Sequence, residues 1–330
     1  HPSDTEAAHT ALLAQLSAAV QRFSEAPSMA ALAVAAAQAV AALPLPAPPV
    51  GTAASAPVAA LFALMTKVGV YALLRVMVML LPIEREALSL IIAIVAALTM
   101  ILGAMGALAQ TDIRRFMGYI VIAGIGNMMA GIAIGGDMAV GAAIFYALHS
   151  ILLMTALYLV MGEAARIGGS FSLSKLAGLW TSTPAFAALS LALFFAASGL
   201  PPFSGFWPKA LLVKASLDIG AWWLAGSVLL SGFLCTIGFG RLFLLAYWRP
   251  ALATGPEATL AASGQVTFVP PPPVPRTSLW RSAPILLLSG FVVWFGLFPD
   301  PLIVVSQQAA AGLSDPTAYI LSVFPEKAAP

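Results

Sequence analysis

Hydrophobic residues make up 61% of this chain of 330 residues and charged residues only 8%, with a mean hydropathy of +0.97. Soluble domains run at roughly 45–50% and about 25%; here 15 basic and 13 acidic side chains cannot cover a 34.0 kDa particle in water, which excludes a soluble fold. A net charge of +2 without a basic and aromatic surface excludes nucleic acid as a partner, and the single Cys235 excludes an internal disulfide. Three scattered histidines, His1, His9 and His149, argue against zinc, so no metal site and no cofactor is expected.

The chain begins at His1, and its first residues lack the basic start of a signal peptide, so it reads as a fragment or a processed chain. In residues 7–24, Leu12, Leu13, Leu16, Val20 and Phe23 recur at helical spacing opposite Gln15, Ser17, Gln21 and Arg22, predicting an amphipathic surface helix. Met29 to Leu45 is rich in alanine and ends in Pro44, Pro46, Pro48 and Pro49; a span and a remnant surface helix both stay open for it. Residues 1–50 are therefore set apart as an N-terminal segment.

Seven apolar runs follow, each long enough to cross about 30 Å of hydrocarbon. They are Pro57 to Leu81, Leu88 to Gln110, Phe116 to Gly135, Met138 to Met161, Pro184 to Leu217, Ala221 to Tyr247 and Pro284 to Val305. The fifth is too long for one helix and is interrupted by Gly199-Leu200-Pro201-Pro202-Phe203-Ser204-Gly205, which predicts two half-helices around an unwound segment, with Gly199, Pro201, Pro202 and Gly205 as the hinge. The expected fold is all-α and polytopic, with about seven transmembrane helices, one of them broken. The transmembrane domain spans 51–248, a loop containing Pro270 to Pro273 and Pro275 spans 249–281, and 282–330 holds the last helix and a tail.

Alternating the loops between two sides gathers Arg114, Arg115, Arg166, Lys175, Arg249, Arg276 and Arg281 on one side, against Arg85 and Lys327 on the other. The richer side is expected to be cytoplasmic, which puts the C-terminus on the outer face.

Ionisable groups inside spans are expensive in lipid and each is a functional candidate. Lys67 sits near the middle of its run, too far from either end to reach water easily. Lost hydration favours the neutral amine, so Lys67 is expected to take and release a proton; a structural lysine bonded to carbonyls is the alternative. Lys209 follows the break, where freed backbone groups and half-helix dipoles tune its charge, and it is expected to relay protons as well. His149 lies in the middle of the fourth run and could pass protons through its two nitrogens, or be a buried neutral imidazole on a carbonyl. Lys214, about 7 Å further along its helix than Lys209 by the 1.5 Å rise, reads first as a snorkelling residue. Tyr146, Ser150, Thr155 and Asn127 could support a hydrated route or serve as packing contacts, and Arg75 reads first as an interfacial anchor. Every Asp and Glu falls at a span end or in a loop, so an acidic partner for the buried lysines is expected from outside this chain.

Ser55-Ala56-Pro57-Val58, Met65-Thr66-Lys67-Val68-Gly69-Val70-Tyr71, Ala109-Gln110-Thr111-Asp112-Ile113-Arg114-Arg115, His149-Ser150 and Gly199 to Lys209 together resemble the antiporter-like membrane subunits shared by Mrp-type cation/proton antiporters and respiratory complex I. The wording is most similar to the D-type subunits of the multisubunit Mrp (Pha, Mnh) antiporters, over roughly residues 50 to 305. The resemblance implies a fold of about fourteen helices with two inverted repeats, each with a broken helix bearing a lysine. Lys67 then matches the lysine of the eighth helix, His149 the histidine of the eleventh, and Lys209 the lysine of the second broken helix. No lysine precedes Lys67, and Met154 stands where many relatives carry a lysine, so the chain reads as the second, C-terminal half of such a subunit.

The resemblance implies a non-enzymatic subunit of a Na+ or K+/proton antiporter in a bacterial inner membrane, with other membrane subunits, protons, a monovalent cation and lipid as its partners. A proton-pumping membrane subunit of an NADH-quinone oxidoreductase is the alternative, and a membrane scaffold is a third reading.

Overall fold

Backbone polar groups have no water to bond in hydrocarbon, so a chain this apolar satisfies them within helices. The computed structural model describes residues 56–250 and 279–315, and among them there is no strand, only an isolated bridge between Asp112 and Ser172. The expectations for residues 1–50 and for the proline-rich part of the loop lie outside the described residues.

Helix α1 spans Ala56–Leu74 and runs on as a π-helical turn, Arg75–Leu80. Then come α2, Pro82–Ala109, α3, Ile113–Ile134, and α4, Gly136–Gly168. A single turn, α5, Leu179–Ser182, leads into α6, Pro184–Ser198, and α7, Phe206–Asp218. Helix α8 spans Trp222–Phe243 and ends in a second π-helical segment, Leu244–Trp248; α9, Leu279–Leu297, and α10, Asp300–Ser314, complete the order. Arg85–Ala109, Ile113–Ile134, Gly136–Gly168 and Trp222–Trp248 are each long and apolar enough to cross a membrane.

The helix ends follow local chemistry. Asp112 caps α3, its carboxylate accepting from the amides of Arg114 at 2.9 Å and Arg115 at 3.4 Å. Gly199 closes α6 at φ 84°, a left-handed conformation that costs glycine little. The fifth run is broken as the sequence expects, into α6 and α7.

The last run differs. It does not continue straight to Val305: the helix ends at Leu297 and α10 leaves at 81°. Pro299 and Pro301 supply no backbone donor at that point, so they start a new helix rather than extend the old one.

Packing between α2 and α3 is close because glycines remove the side chains in between. A Cβ on Gly103 would lie 2.7 Å from the Ala123 nitrogen, and one on Gly126 would lie 2.7 Å from the Met100 nitrogen and 2.8 Å from the Ala96 oxygen. The main core joins α3, α4, α6, α8 and α9 around Phe116, Phe194, Phe239, Phe243 and Tyr247. Phe243 and Tyr247 stack at 5.0 Å, and Phe194 and Phe239 also at 5.0 Å.

One end of the bundle is tied together by its loops. The amide of Ile113 donates to Phe171, that of Leu173 to Thr111, and that of Gly178 to Arg249. The Arg249 guanidinium donates to the carbonyls of Leu173, Ser174 and Leu176 at 3.0, 2.8 and 3.1 Å, and Arg241 to those of Leu108 and Gln110. Arg114, Arg115, Arg166, Lys175, Arg241 and Arg249 therefore share this end, while Arg85, Asp137, Lys214 and Asp218 sit at the other.

Candidate proton-transfer site

The break in the fifth run frees carbonyls at the C-terminal end of α6, the negative end of its dipole. Lys209, on the first turns of α7, is 9% exposed and its ammonium donates to the Ser198 carbonyl at 2.7 Å. Gly199 leaves room for it: a Cβ there would lie 2.7 Å from Lys209 Cδ and 3.0 Å from Nζ. Gly232 of α8 faces the same ammonium.

His149, on α4, is 4% exposed, and its Nδ1 lies 2.9 Å from the hydroxyl of Ser204, in the unwound segment. A Cβ on Gly205 would overlap the Ala196 carbonyl, so only glycine fits there, and it would come within 3.1 Å of His149 Nε2, which places the imidazole against the break.

Lys67, on α1, is 5% exposed, with the hydroxyl of Thr66 3.4 Å from its ammonium. Helix α1 and the π-helical turn after it pack against α4 through Val70, Leu74, Val78, Val140 and Tyr146. None of the ion pairs among the described residues involves Lys67, His149 or Lys209. Lys67, His149 and Lys209 are each buried, and their hydrogen-bond partners include the Thr66 hydroxyl, the Ser204 hydroxyl and the Ser198 carbonyl in turn. Such an arrangement can pass a proton between nitrogens, provided water or side-chain motion closes the gaps.

The supporting candidates divide. Tyr146 is buried beside His149, ring centroids 6.1 Å apart, with its hydroxyl facing Gly124. Asn127, 1% exposed, donates from Nδ2 to the Ala123 carbonyl while its Oδ1 has no hydrogen-bond partner. Ser150 and Thr155 instead bond back to the carbonyls of Ala147 and Ile151 on their own helix. Lys214 pairs with Asp218 at 2.9 Å on an exposed helix end. Arg75 donates to the Tyr71 hydroxyl at 3.2 Å and covers its ring.

Two contributors escape a reading of the sequence: Ser204 carries a signal, a lone hydroxyl inside a Pro-Pro-Phe-Ser-Gly interruption, and the Ser198 carbonyl carries none.

The family model described as NADH:quinone oxidoreductase/Mrp antiporter, transmembrane region, matches residues 8–235, and the chain belongs to this family of multi-pass membrane proteins. The match takes in most of the N-terminal segment. The chain is 31% identical over 272 residues to the D-type subunit of the Na(+)/H(+) antiporter of Alkalihalophilus pseudofirmus, covering 82% of this chain and 52% of that protein. It is 30% identical over 275 residues to the like-named protein of Bacillus subtilis, again 82% of this chain and 52% of that one. The chain thus spans about half the length of the curated relatives it matches.

Its fold is similar to a chain of the Mrp complex from Dietzia sp., with a TM-score of 0.72 and 24% identity over 94% of this chain and 67% of that one. Respiratory complex I from Thermus thermophilus with bound NADH contains a chain of similar fold, with a TM-score of 0.64 and 24% identity over 76% and 50%.

Proposed function

We propose that this chain is part of a membrane subunit of a monovalent cation/proton antiporter, in which Lys67, His149 and Lys209 carry protons across the centre of the membrane. The observation that carries this reading is the meeting of His149 and Lys209 at the break, the imidazole hydrogen-bonded to Ser204 and the ammonium to the Ser198 carbonyl. Buried cations without an ion-pair partner in the described part of the chain are costly in lipid, and a proton route gives them a reason to be there. Tyr146 and Asn127 border the route; Na+ or K+ and the other membrane subunits of the complex complete it. The chemistry is transport, with no covalent step at these residues.

The basic loops that bond one another at one end of the bundle favour that end as cytoplasmic, in the inner membrane of a bacterium, with the C-terminus outside.

The test is cation-dependent proton flux in vesicles carrying the full complex, comparing the parent chain with Lys209→Ala and checking assembly by blot. Loss of flux with assembly intact supports the route; unchanged flux overturns it. Likeness of fold to a complex I chain keeps a second reading, a proton-pumping quinone-reductase subunit, in view. Co-purification separates the two, because that reading requires hydrophilic redox subunits with flavin and iron-sulfur absorbance.

A further inference from the structure

The unwound segment has no helical ladder to fix it. Its main-chain bonds are short turns, Leu200 to Phe195, Phe203 to Leu200 and Phe206 to Phe203. Ser204 is nevertheless 1% exposed and held at hydrogen-bond distance from His149, so its position must come from a neighbour.

That neighbour is the end of α9. The indole Nε1–H of Trp207 donates to the Gly296 carbonyl at 2.9 Å. A Cβ on Gly296 would lie 2.6 Å from the Pro202 oxygen, 2.7 Å from the Ser204 nitrogen and 2.8 Å from Phe203 Cα. The α9 backbone therefore lies directly on the segment that carries Ser204, a distance no other residue type permits without movement. One residue after Gly296, α9 ends and the chain turns by 81° into α10. Helix α10 rests on α4, the helix of His149: a Cβ on Gly141 would lie 3.5 Å from Gln307 Cα, and the Ser314 hydroxyl donates to Asp137 at 2.8 Å. The same elbow thus braces both partners of the Ser204–His149 pair.

We propose that Gly296 and Trp207 are positioning residues that hold Ser204 against His149 from the far side of the unwound segment. Both act by fixing where the Ser204 hydroxyl meets the imidazole. The role of this contact in transport rests on the proposed proton route, whereas the mechanical coupling does not.

The experiment uses the full complex in native membranes. Ser204→Cys serves as a reporter, labelled with a membrane-permeant maleimide and read on the immunoprecipitated chain, with the labelling of the parent chain, which contains Cys235, subtracted as background. Gly296→Ala and Trp207→Phe should each raise the labelling rate at least about threefold as the segment loosens. Gly290→Ala, whose Cβ would meet nothing within 4 Å, should leave it unchanged.

In the chain with Ser204 intact, the same two substitutions should move the pH at which proton flux is half-maximal by about half a unit or more, because Ser204 helps set which imidazole nitrogen holds the proton. Faster labelling together with a displaced midpoint supports the assignment; either readout unchanged in both variants overturns it. The transport reading fails on a different result, undiminished flux in Lys209→Ala, and the labelling rate still tests the brace in that case.

Discussion

The Lys209 ammonium donates a 2.7 Å hydrogen bond to the carbonyl of Ser198, joining the two halves of the broken helix across their unwound connection. A cation at the C-terminal end of α6 both satisfies a freed carbonyl and meets the negative end of the helix dipole. One side chain therefore closes the break and, on the proposed route, also holds the mobile proton.

Lys209→Arg separates these two duties. Arginine keeps the charge and can still donate to Ser198, but it does not release its proton in proteins. Proton flux should fall about as far as in Lys209→Ala, by roughly tenfold or more on the scale of a lost proton-transfer group, while blotting finds the complex assembled. Flux retained in the arginine variant would make Lys209 a structural pin.

The α2–α3 contact tolerates no added volume. In Gly126→Val, new atoms meet the Met100 nitrogen and the Ala96 oxygen, so the purified complex should lose about 1–3 kcal/mol and melt earlier. Gly118→Ala, on the same helix, meets nothing within 4 Å and should melt like the parent.

Gly135 joins α3 to α4 at φ 71° with the Arg85 guanidinium packed against it. Gly135→Ala forces alanine into a backbone region, φ 71° and ψ −172°, that is essentially reserved for glycine, which costs about 1–3 kcal/mol and displaces Arg85. Lower thermal stability is expected, and an unchanged melting temperature would contradict it.

Arg249 gathers three carbonyls of the loop after α4. Its replacement by alanine should speed amide exchange at Leu173 and Gly178, which lie in the network it organises, while α3 and α4 keep their protection.

Much of this molecule is legible without coordinates. The break at Gly199 to Gly205 is visible because two prolines and two glycines interrupt an apolar run. Lys67 and His149 stand out because polar atoms at the centre of a span are rare, and Lys214 is separated from Lys209 by helical rise alone. The elbow at Pro299 escapes such a reading because hydropathy continues through it, and periodicity alone does not show a change of direction.

By itself, then, the sequence determined the solvent, the helical class and the three buried nitrogens, all of them consequences of local composition and spacing. Only the tertiary structure decided which groups meet. Ser204 and His149 are 55 residues apart and Trp207 and Gly296 are 89 apart, so their contacts depend on how whole helices pack. A glycine that looks like any other along the chain becomes the contact surface of the hinge because another backbone arrives where its side chain would have been.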